Sequence, residues 1–177
     1  MSSFKDRLIG AAKLDVAIYE EVEADKDALF QAMGVVVLSS VAAGIGTIGN
    51  VGFGGIITGT LTALVAWFIW AYLTYFIGAK FIPEPDTQAD AGQLLRTIGF
   101  SSSPGLIRVI GIIPGLSSII TFIASVWMLV AMVIAVRQAL DYKSTVRAVI
   151  VCAVGWIIQA LIFVLFYAVF GNPSHTL

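Results

Sequence analysis

The sequence predicts an all-α integral membrane protein with five transmembrane helices, preceded by an amphipathic helix on the cytoplasmic face. Composition is the first reason: 59% of the 177 residues are hydrophobic and only 12% are charged, against about 25% charged in an average soluble domain. The charged residues are also segregated, most of them before residue 28 or between residues 80 and 96. Finally, several apolar runs reach about 20 residues, the length with which a helix crosses a bilayer. The lipid bilayer is therefore the expected partner.

A net charge of -1 gives no reason to expect nucleic acid as a partner.

Four of the apolar runs contain no Lys, Arg, Asp or Glu, and they cover residues 28–48, 53–79, 116–136 and 148–170. A helix is expected for each, because it satisfies its own backbone hydrogen bonds within lipid. A fifth run, 91–115, is weaker, since it carries Arg96 and Arg108 and is interrupted by the sequence SSSPG.

The number of crossings follows from the positions of Lys and Arg, which concentrate in loops on the cytoplasmic side. Lys and Arg occur in the N-terminal segment, 1–27, and in every second connection between the runs. They are absent from the remaining connections and from the tail, 172–177. If the run 91–115 did not cross, Arg137 and Arg147 would lie on the external side. We therefore expect five crossings within residues 28–171, with the N-terminus cytoplasmic and the C-terminus external.

Residues 1–27 are predicted to form a helix on the cytoplasmic face. The segment is charged throughout and lacks the apolar core of a signal peptide, so no cleaved targeting signal is expected. Its acidic end would not be attracted to an anionic bilayer, which favours packing against the protein's own helices. The apolar residues recur at helical spacing: Phe4, Leu8, Ala11, Leu14, Ile18 and Val22.

A candidate surface for protein partners gathers polar residues of the cytoplasmic side. Arg137 and Asp141 are four residues apart and are expected to pair on one helix face. The carboxylates of residues 19–25 are hard oxygen ligands for a divalent cation, but a helix spreads them apart where calcium needs a turned loop, so a partner-facing surface is favoured. The members of this surface are Glu20, Glu21, Glu23, Asp25, Arg137 and Asp141.

A candidate polar site within the membrane centres on Arg108. An intramembrane arginine usually faces the bundle or a wet cavity, so contact with an anion or a substrate is one interpretation. The other is structural: the side chain snorkels to the outer interface or pairs with nearby polar groups. The break at SSSPG has the same two interpretations, a solute site as in transporters or a tolerated proline kink, and the kink is favoured. The candidate residues are Ser101, Ser102, Ser103, Pro104, Arg108 and Gln159.

Two pairs of glycines have the spacing that lets membrane helices approach closely. They are Gly55 with Gly59 and Gly111 with Gly115. Packing within one bundle is the favoured interpretation, and a homo-oligomer interface is the alternative.

Chemistry-bearing motifs are scarce. His175 is the only histidine and Cys152 the only cysteine, and the sequence has no phosphate-binding loop, dinucleotide fingerprint or metal-type spacing. We therefore expect a protein that is not an enzyme and that uses no cofactor or metal.

Three stretches carry a family resemblance: EVEAD before the first run, PEPDTQAD leading into LLRTIGFSSSPGLIRVIG, and VWMLVAMVIAVRQALDY. They resemble the bacterial branch of the Yip family, the Ypt/Rab-interacting membrane proteins, over nearly the whole chain. The resemblance implies a five-span bundle in the bacterial inner membrane with its N-terminus inside. Eukaryotic relatives are associated with vesicle traffic and small GTPases. Their N-terminal tyrosine-glycine-proline motif has no counterpart here, so GTPase binding is not implied.

Two functional hypotheses follow. The leading one is a non-enzymatic membrane scaffold or accessory protein that organises membrane-protein partners or lipids through its N-terminal helix and cytoplasmic linkers. The alternative is a small channel or transporter with a solute path at the interrupted third helix.

Overall fold

Helices account for the fold of this computed structural model, which describes residues 2–170 apart from the side chains of 50, 51, 163 and 166–170. The described residues contain no β-strand, so the predicted all-helical class is confirmed. The tail, 172–177, lies outside the described residues. The α-helices are α1 (Phe4–Ala12), α2 (Val16–Ala24), α3 (Ala28–Gly46), α4 (Ile48–Tyr75), α5 (Ala91–Phe100), α6 (Ser117–Ala139) and α7 (Thr145–Phe170).

Four helices of the described chain are long and apolar enough to cross a membrane: Ala28–Gly46, Gly52–Phe81, Ser117–Ala139 and Thr145–Ile162. Each of them overlaps one of the four charge-free runs of the sequence. The second begins at Gly52, whose positive φ of 63° separates it from the first turn of α4, and it ends in a π-helical turn, Phe76–Phe81. The four long apolar helices predicted from these runs are thus confirmed.

The third predicted span is not one continuous α-helix. After α5 the chain turns at Ser101 and continues as a 3-10 helix, Ser103–Ile112. Pro104 stands at the start of this helix and cannot donate a backbone hydrogen bond. The hydroxyls of Ser101 and Ser103 donate to the carbonyls of Ile98 and Phe100, each at 2.7 Å, and so fix the turn.

This third segment runs beside α3 and in the same direction. A Cβ added at Gly99, Gly105 or Gly111 would meet Ala32, Ser39 or Gly46 of α3 respectively. Residues 32 to 46 correspond to about 21 Å of helix. The segment therefore follows most of the length of α3, although its conformation changes on the way.

The N-terminal segment forms two helices, so the prediction of one amphipathic helix is wrong. The chain reverses at Leu14, whose φ is 65°, and the Asp15 side chain accepts a hydrogen bond from the Ala17 amide to cap α2. The two helices then pack against each other, and the Tyr19 hydroxyl donates to the Ala11 carbonyl at 3.2 Å. This turn is marked in the sequence by a capping aspartate, and it contains neither the glycine nor the proline that normally indicates such a turn.

Charged residues gather at one end of the bundle. Every Lys, Arg, Asp and Glu except Arg108 lies in residues 1–27, 80–96 or 137–147. We call the end formed by these segments the charged end. There the Tyr142 hydroxyl donates to the carbonyls of Gly78 at 2.9 Å and Ile82 at 2.6 Å, which joins the end of α4 to the turn between α6 and α7.

Candidate functional site

Arg7 is at the centre of the contacts among α1, α2 and α3. It is only 1% exposed, and its Nη2 lies 2.9 Å from a carboxylate oxygen of Glu21 and 2.7 Å from one of Asp25. Its Nη1 donates to Gln31 at 3.1 Å. Hydrogen bonds from Ser2 and then from Arg7 lower the pKa of Glu21 to about 2. Glu21 and Asp25 therefore bind within the protein and not on a free surface.

Arg96 also binds within the protein, at the charged end. Its Nε donates to the carbonyls of Val22 at 3.0 Å and Glu23 at 3.1 Å. These carbonyls belong to the last turn of α2, where a cation is favoured by the helix dipole. Arg96 thus caps α2 and attaches it to α5.

A cavity of about 600 Å³ lies at the charged end, between α2, α5 and the turn from α6 to α7. Four of the six residues of the predicted partner surface line it: Glu20, Glu23, Arg137 and Asp141. Gln93 and Lys143 contribute to the same lining. We call this space the acidic cavity, because three of these groups are carboxylates.

The expected pairing of Arg137 with Asp141 is wrong. α6 ends at Ala139, and Asp141 has a φ of 52°, outside the helical region. Its amide donates to the Gln138 carbonyl at 2.9 Å, and the Tyr142 amide donates to the Arg137 carbonyl at 2.9 Å. This is the Schellman arrangement of a helix end. Arg137 Nε instead donates to the Tyr142 carbonyl at 3.1 Å.

The three carboxylates of the acidic cavity form no ion pair with any described residue. Glu20 accepts a hydrogen bond from Gln138 and Glu23 accepts one from Gln93, each at 3.0 Å. Burial, followed by the nearby charge of Asp141, raises the pKa of Glu23 to about 7. Glu20 and Asp141 are exposed, so the cavity presents these carboxylates to groups outside the chain.

A second cavity, of about 430 Å³, lies between α3, α4, the third segment, α6 and α7, and its lining includes exposed residues such as Ser125 and Trp156. It brings together four residues of the predicted intramembrane site, Arg108, Ser101, Ser102 and Gln159. The other two, Ser103 and Pro104, are buried in the first turn of the 3-10 helix and do not line it.

Arg108 has few partners in this cavity. Its Nη2 donates to Ser125 Oγ at 3.4 Å, and its buried Nε has no hydrogen-bond partner among the described residues. The same is true of Trp70 Nε1, which also lines the cavity, whereas Trp67 Nε1 donates to the Leu95 carbonyl at 3.0 Å. Sequence reasoning missed Trp70 and Ser125, because their positions within long apolar runs are typical of core residues.

A third cavity, also of about 430 Å³, adjoins the second and extends away from the charged end toward Thr47 and Thr121. The two share Ser40, Ala63 and Arg108 in their linings. We call the two together the Arg108 crevice.

The four predicted packing glycines have different surroundings. Gly111 packs against the backbone of Gly46, but Gly115 occupies a turn with a φ of 84° and open space around it. Gly55 and Gly59 line the Arg108 crevice, and a Cβ at Gly59 would meet no atom within 4 Å. The close contacts of Gly46, Gly99 and Gly105 were not predicted, since their spacing follows no simple motif.

The four long apolar helices and the segregated charges define a helical, multi-pass membrane protein. The sequence matches the family model described as the Yip1 domain over residues 17–167. The chain therefore belongs to the Yip family. No curated protein and no solved structure matches it significantly.

Proposed function

We propose that this chain is a non-enzymatic membrane scaffold or accessory protein of the Yip type, which binds other membrane proteins at its charged end. It would reside in a bacterial inner membrane with that end in the cytoplasm and its C-terminus external. The observation that carries the proposal is the acidic cavity, where Glu20, Glu23 and Asp141 line an accessible space without an ion-pair partner in the described chain.

Five crossings are part of this proposal. The third segment supports them, because it follows α3 from the level of Ala32 to the level of Gly46. At the far end Ser117, the first residue of α6, donates to the Gly46 carbonyl at 3.3 Å. If α3 crosses the bilayer, this neighbouring segment crosses with it. The Lys and Arg residues of the charged end favour the cytoplasmic side.

The acidic cavity also indicates the chemistry of the partner. Membrane proteins carry an excess of Lys and Arg in their short cytoplasmic loops. A basic segment of this kind would complement the carboxylates of Glu20, Glu23 and Asp141, and such complementarity favours specific recognition. The proposed partner is therefore a second membrane protein with a basic cytoplasmic segment.

The geometry of the SSSPG break favours this function over a channel or transporter. Transporters use the free backbone groups of interrupted helices to hold solutes. Here the amides of Ser101, Ser102 and Gly105 donate to backbone carbonyls at 3.0, 3.1 and 2.9 Å. The transport alternative is tested by Arg108→Leu in reconstituted vesicles, where flux lost with the fold intact would support it and unchanged flux would remove it.

Isolation of the tagged protein from its native membrane in mild detergent tests the scaffold proposal. We expect a stoichiometric membrane-protein partner that Glu20→Gln/Glu23→Gln loses. The matched control, Asp6→Asn/Asp27→Asn, replaces two exposed carboxylates outside the cavity by their amides and should keep the partner. Repeated recovery of the protein alone, or equal recovery of the partner with both variants, would contradict the proposal.

A further inference from the structure

We propose that the Arg108 crevice binds an oxyanion, a phosphate or carboxylate group, brought by an acidic membrane amphiphile or by a free anion. This inference uses the proposed five crossings but is independent of the acidic cavity and its protein partner.

The first argument is charge. The apolar runs 28–79, 91–140 and 148–170 contain no Asp or Glu, so no carboxylate at membrane depth neutralises Arg108. A cation within a bilayer is costly and normally has a partner. Each of the other arginines has a carboxylate or carbonyl partner: Arg7, Arg96, Arg137 and Arg147. Arg108 has one hydroxyl contact, at 3.4 Å.

The second argument is the direction of the side chain. The Arg108 carbonyl lies against Gly46, and the hydrogen bond from Ser117 to Gly46 places the start of α6 at the same level. Ser125, which the guanidinium reaches, lies about 12 Å of helix further toward the charged end. A snorkelling arginine would extend outward to the nearer interface. Arg108 instead extends toward the charged end, where it contacts the exposed hydroxyl of Ser125.

The third argument is the set of hydrogen-bond donors. Arg108 Nε and Trp70 Nε1 are both buried and have no acceptor among the described residues, and Trp70 is only 7% exposed. Nearly all buried polar groups in proteins are hydrogen-bonded, so two such donors in one cavity are unusual. Both groups donate and cannot accept. The missing partner is therefore an acceptor, and a charged one binds a guanidinium most strongly.

The fourth argument is size and wall chemistry. A volume of about 430 Å³ is within the range of small-molecule sites, about 300 to 1,000 Å³. Trp67, Trp156 and Met128 supply apolar walls beside Arg108. A ligand with an anionic group and an apolar chain would match both the guanidinium of Arg108 and these apolar walls.

Tryptophan fluorescence reports on this site, because three of the four tryptophans, Trp67, Trp70 and Trp156, line the cavity. The protein is placed in nanodiscs that contain brominated phosphatidic acid or, at the same mole fraction, brominated phosphatidylcholine. We expect stronger quenching by phosphatidic acid. In Arg108→Gln this preference should weaken about tenfold or more, since a charge-assisted hydrogen bond is lost. It should persist in Arg147→Gln, which removes the same charge outside the crevice, and largely in Arg108→Lys.

A second arm adds inorganic phosphate to nanodiscs without brominated lipid. A fluorescence change that requires Arg108 would identify a free anion as the source, whereas lipid preference without a phosphate response would identify an amphiphile. Either result supports an oxyanion site. Equal quenching by the two lipids together with no phosphate response would overturn it, and so would a preference that Arg108→Gln retains. If size-exclusion chromatography shows Arg108→Gln to be misfolded, the wild-type lipid preference and phosphate response still decide, and the absence of both overturns the proposal.

Discussion

Arg96 Nε donates to the Val22 carbonyl at 3.0 Å across 74 residues of sequence. The contact attaches the end of α2 to α5, and it thereby holds one wall of the acidic cavity against another. An arginine that the sequence places within a predicted span is thus a helix cap at the charged end.

Replacing Arg96 should loosen α2. Arg96→Gln removes hydrogen bonds from a charged group that is 6% exposed, and we expect the free energy of unfolding to fall by about 2 kcal/mol. Thermal unfolding in detergent, combined with limited proteolysis between residues 13 and 27, measures the effect. Lys13→Gln is the control, because Lys13 is exposed. Equal unfolding temperatures for the two variants would contradict the capping role.

The ion pairs of Arg7 should stabilise the N-terminal helices. We expect Arg7→Met to lower the free energy of unfolding by roughly 2 kcal/mol, less than for a fully buried pair because the Glu21 side chain is 26% exposed. The pKa of Glu21 is lowered from 4.5 to about 2. Its stabilisation is therefore complete above pH 4.5 and is lost as the pH falls toward 2. Denaturation at pH 7 and pH 3 should show a smaller effect of Arg7→Met in acid, and an equal effect at both would count against the pairs.

Glu23 should oppose folding near neutral pH. Its carboxyl faces Gln93, Glu20, Asp90, Asp141 and Arg96, and its pKa is raised from 4.5 to about 7. The folded chain therefore holds this proton more tightly than the unfolded chain, and stability falls as the pH rises from 4.5 to 7.

We expect Glu23→Gln to unfold at a higher temperature than the wild type above pH 7, with the difference vanishing near pH 4.5. The unfolding temperatures of both proteins are measured at the same series of pH values. A difference that does not change with pH would show that Glu23 ionises normally.

Two glycines offer a matched comparison. A Cβ at Gly46 would collide with the Arg108 carbonyl, whereas a Cβ at Gly59 would meet open space. Gly46→Ala should therefore destabilise the contact between α3 and the third segment by about 1 to 3 kcal/mol. Gly59→Ala should be neutral or stabilise α4 by up to about 1 kcal/mol, because alanine favours helix. Unfolding temperatures in detergent compare the pair, and equal effects would exclude close packing at Gly46.

Sequence patterns predicted the parts of this structure that depend on composition. Long charge-free runs predicted the four long spans, and the isolated Arg108 pointed to the cavity that it lines with Ser101, Ser102 and Gln159. These features follow from the cost of placing charge in lipid, which depends little on the rest of the fold.

Other features depend on contacts between distant segments or on local capping, which the patterns do not encode. The turn at Leu14 carries no glycine or proline signal, and the left-handed conformation of Asp141 separates it from Arg137. Glu21 and Asp25 are occupied by Arg7 only because α1 folds back onto α2. Trp70 is a candidate donor because its indole nitrogen has no partner among the described residues, which is a property of the packing.

The direction of the third segment is central to both proposals, because the proposed fifth crossing would put the charged end and the start of α6 on opposite sides of the membrane. Single cysteines at two exposed positions, Asp86→Cys and Ser118→Cys, test it in a Cys152→Ala background. A membrane-impermeant maleimide is applied to intact cells and then to opened membranes. We expect Ser118→Cys to react in intact cells and Asp86→Cys only after opening. Identical behaviour of the two cysteines would show that the segment returns to its starting side, and would contradict the account.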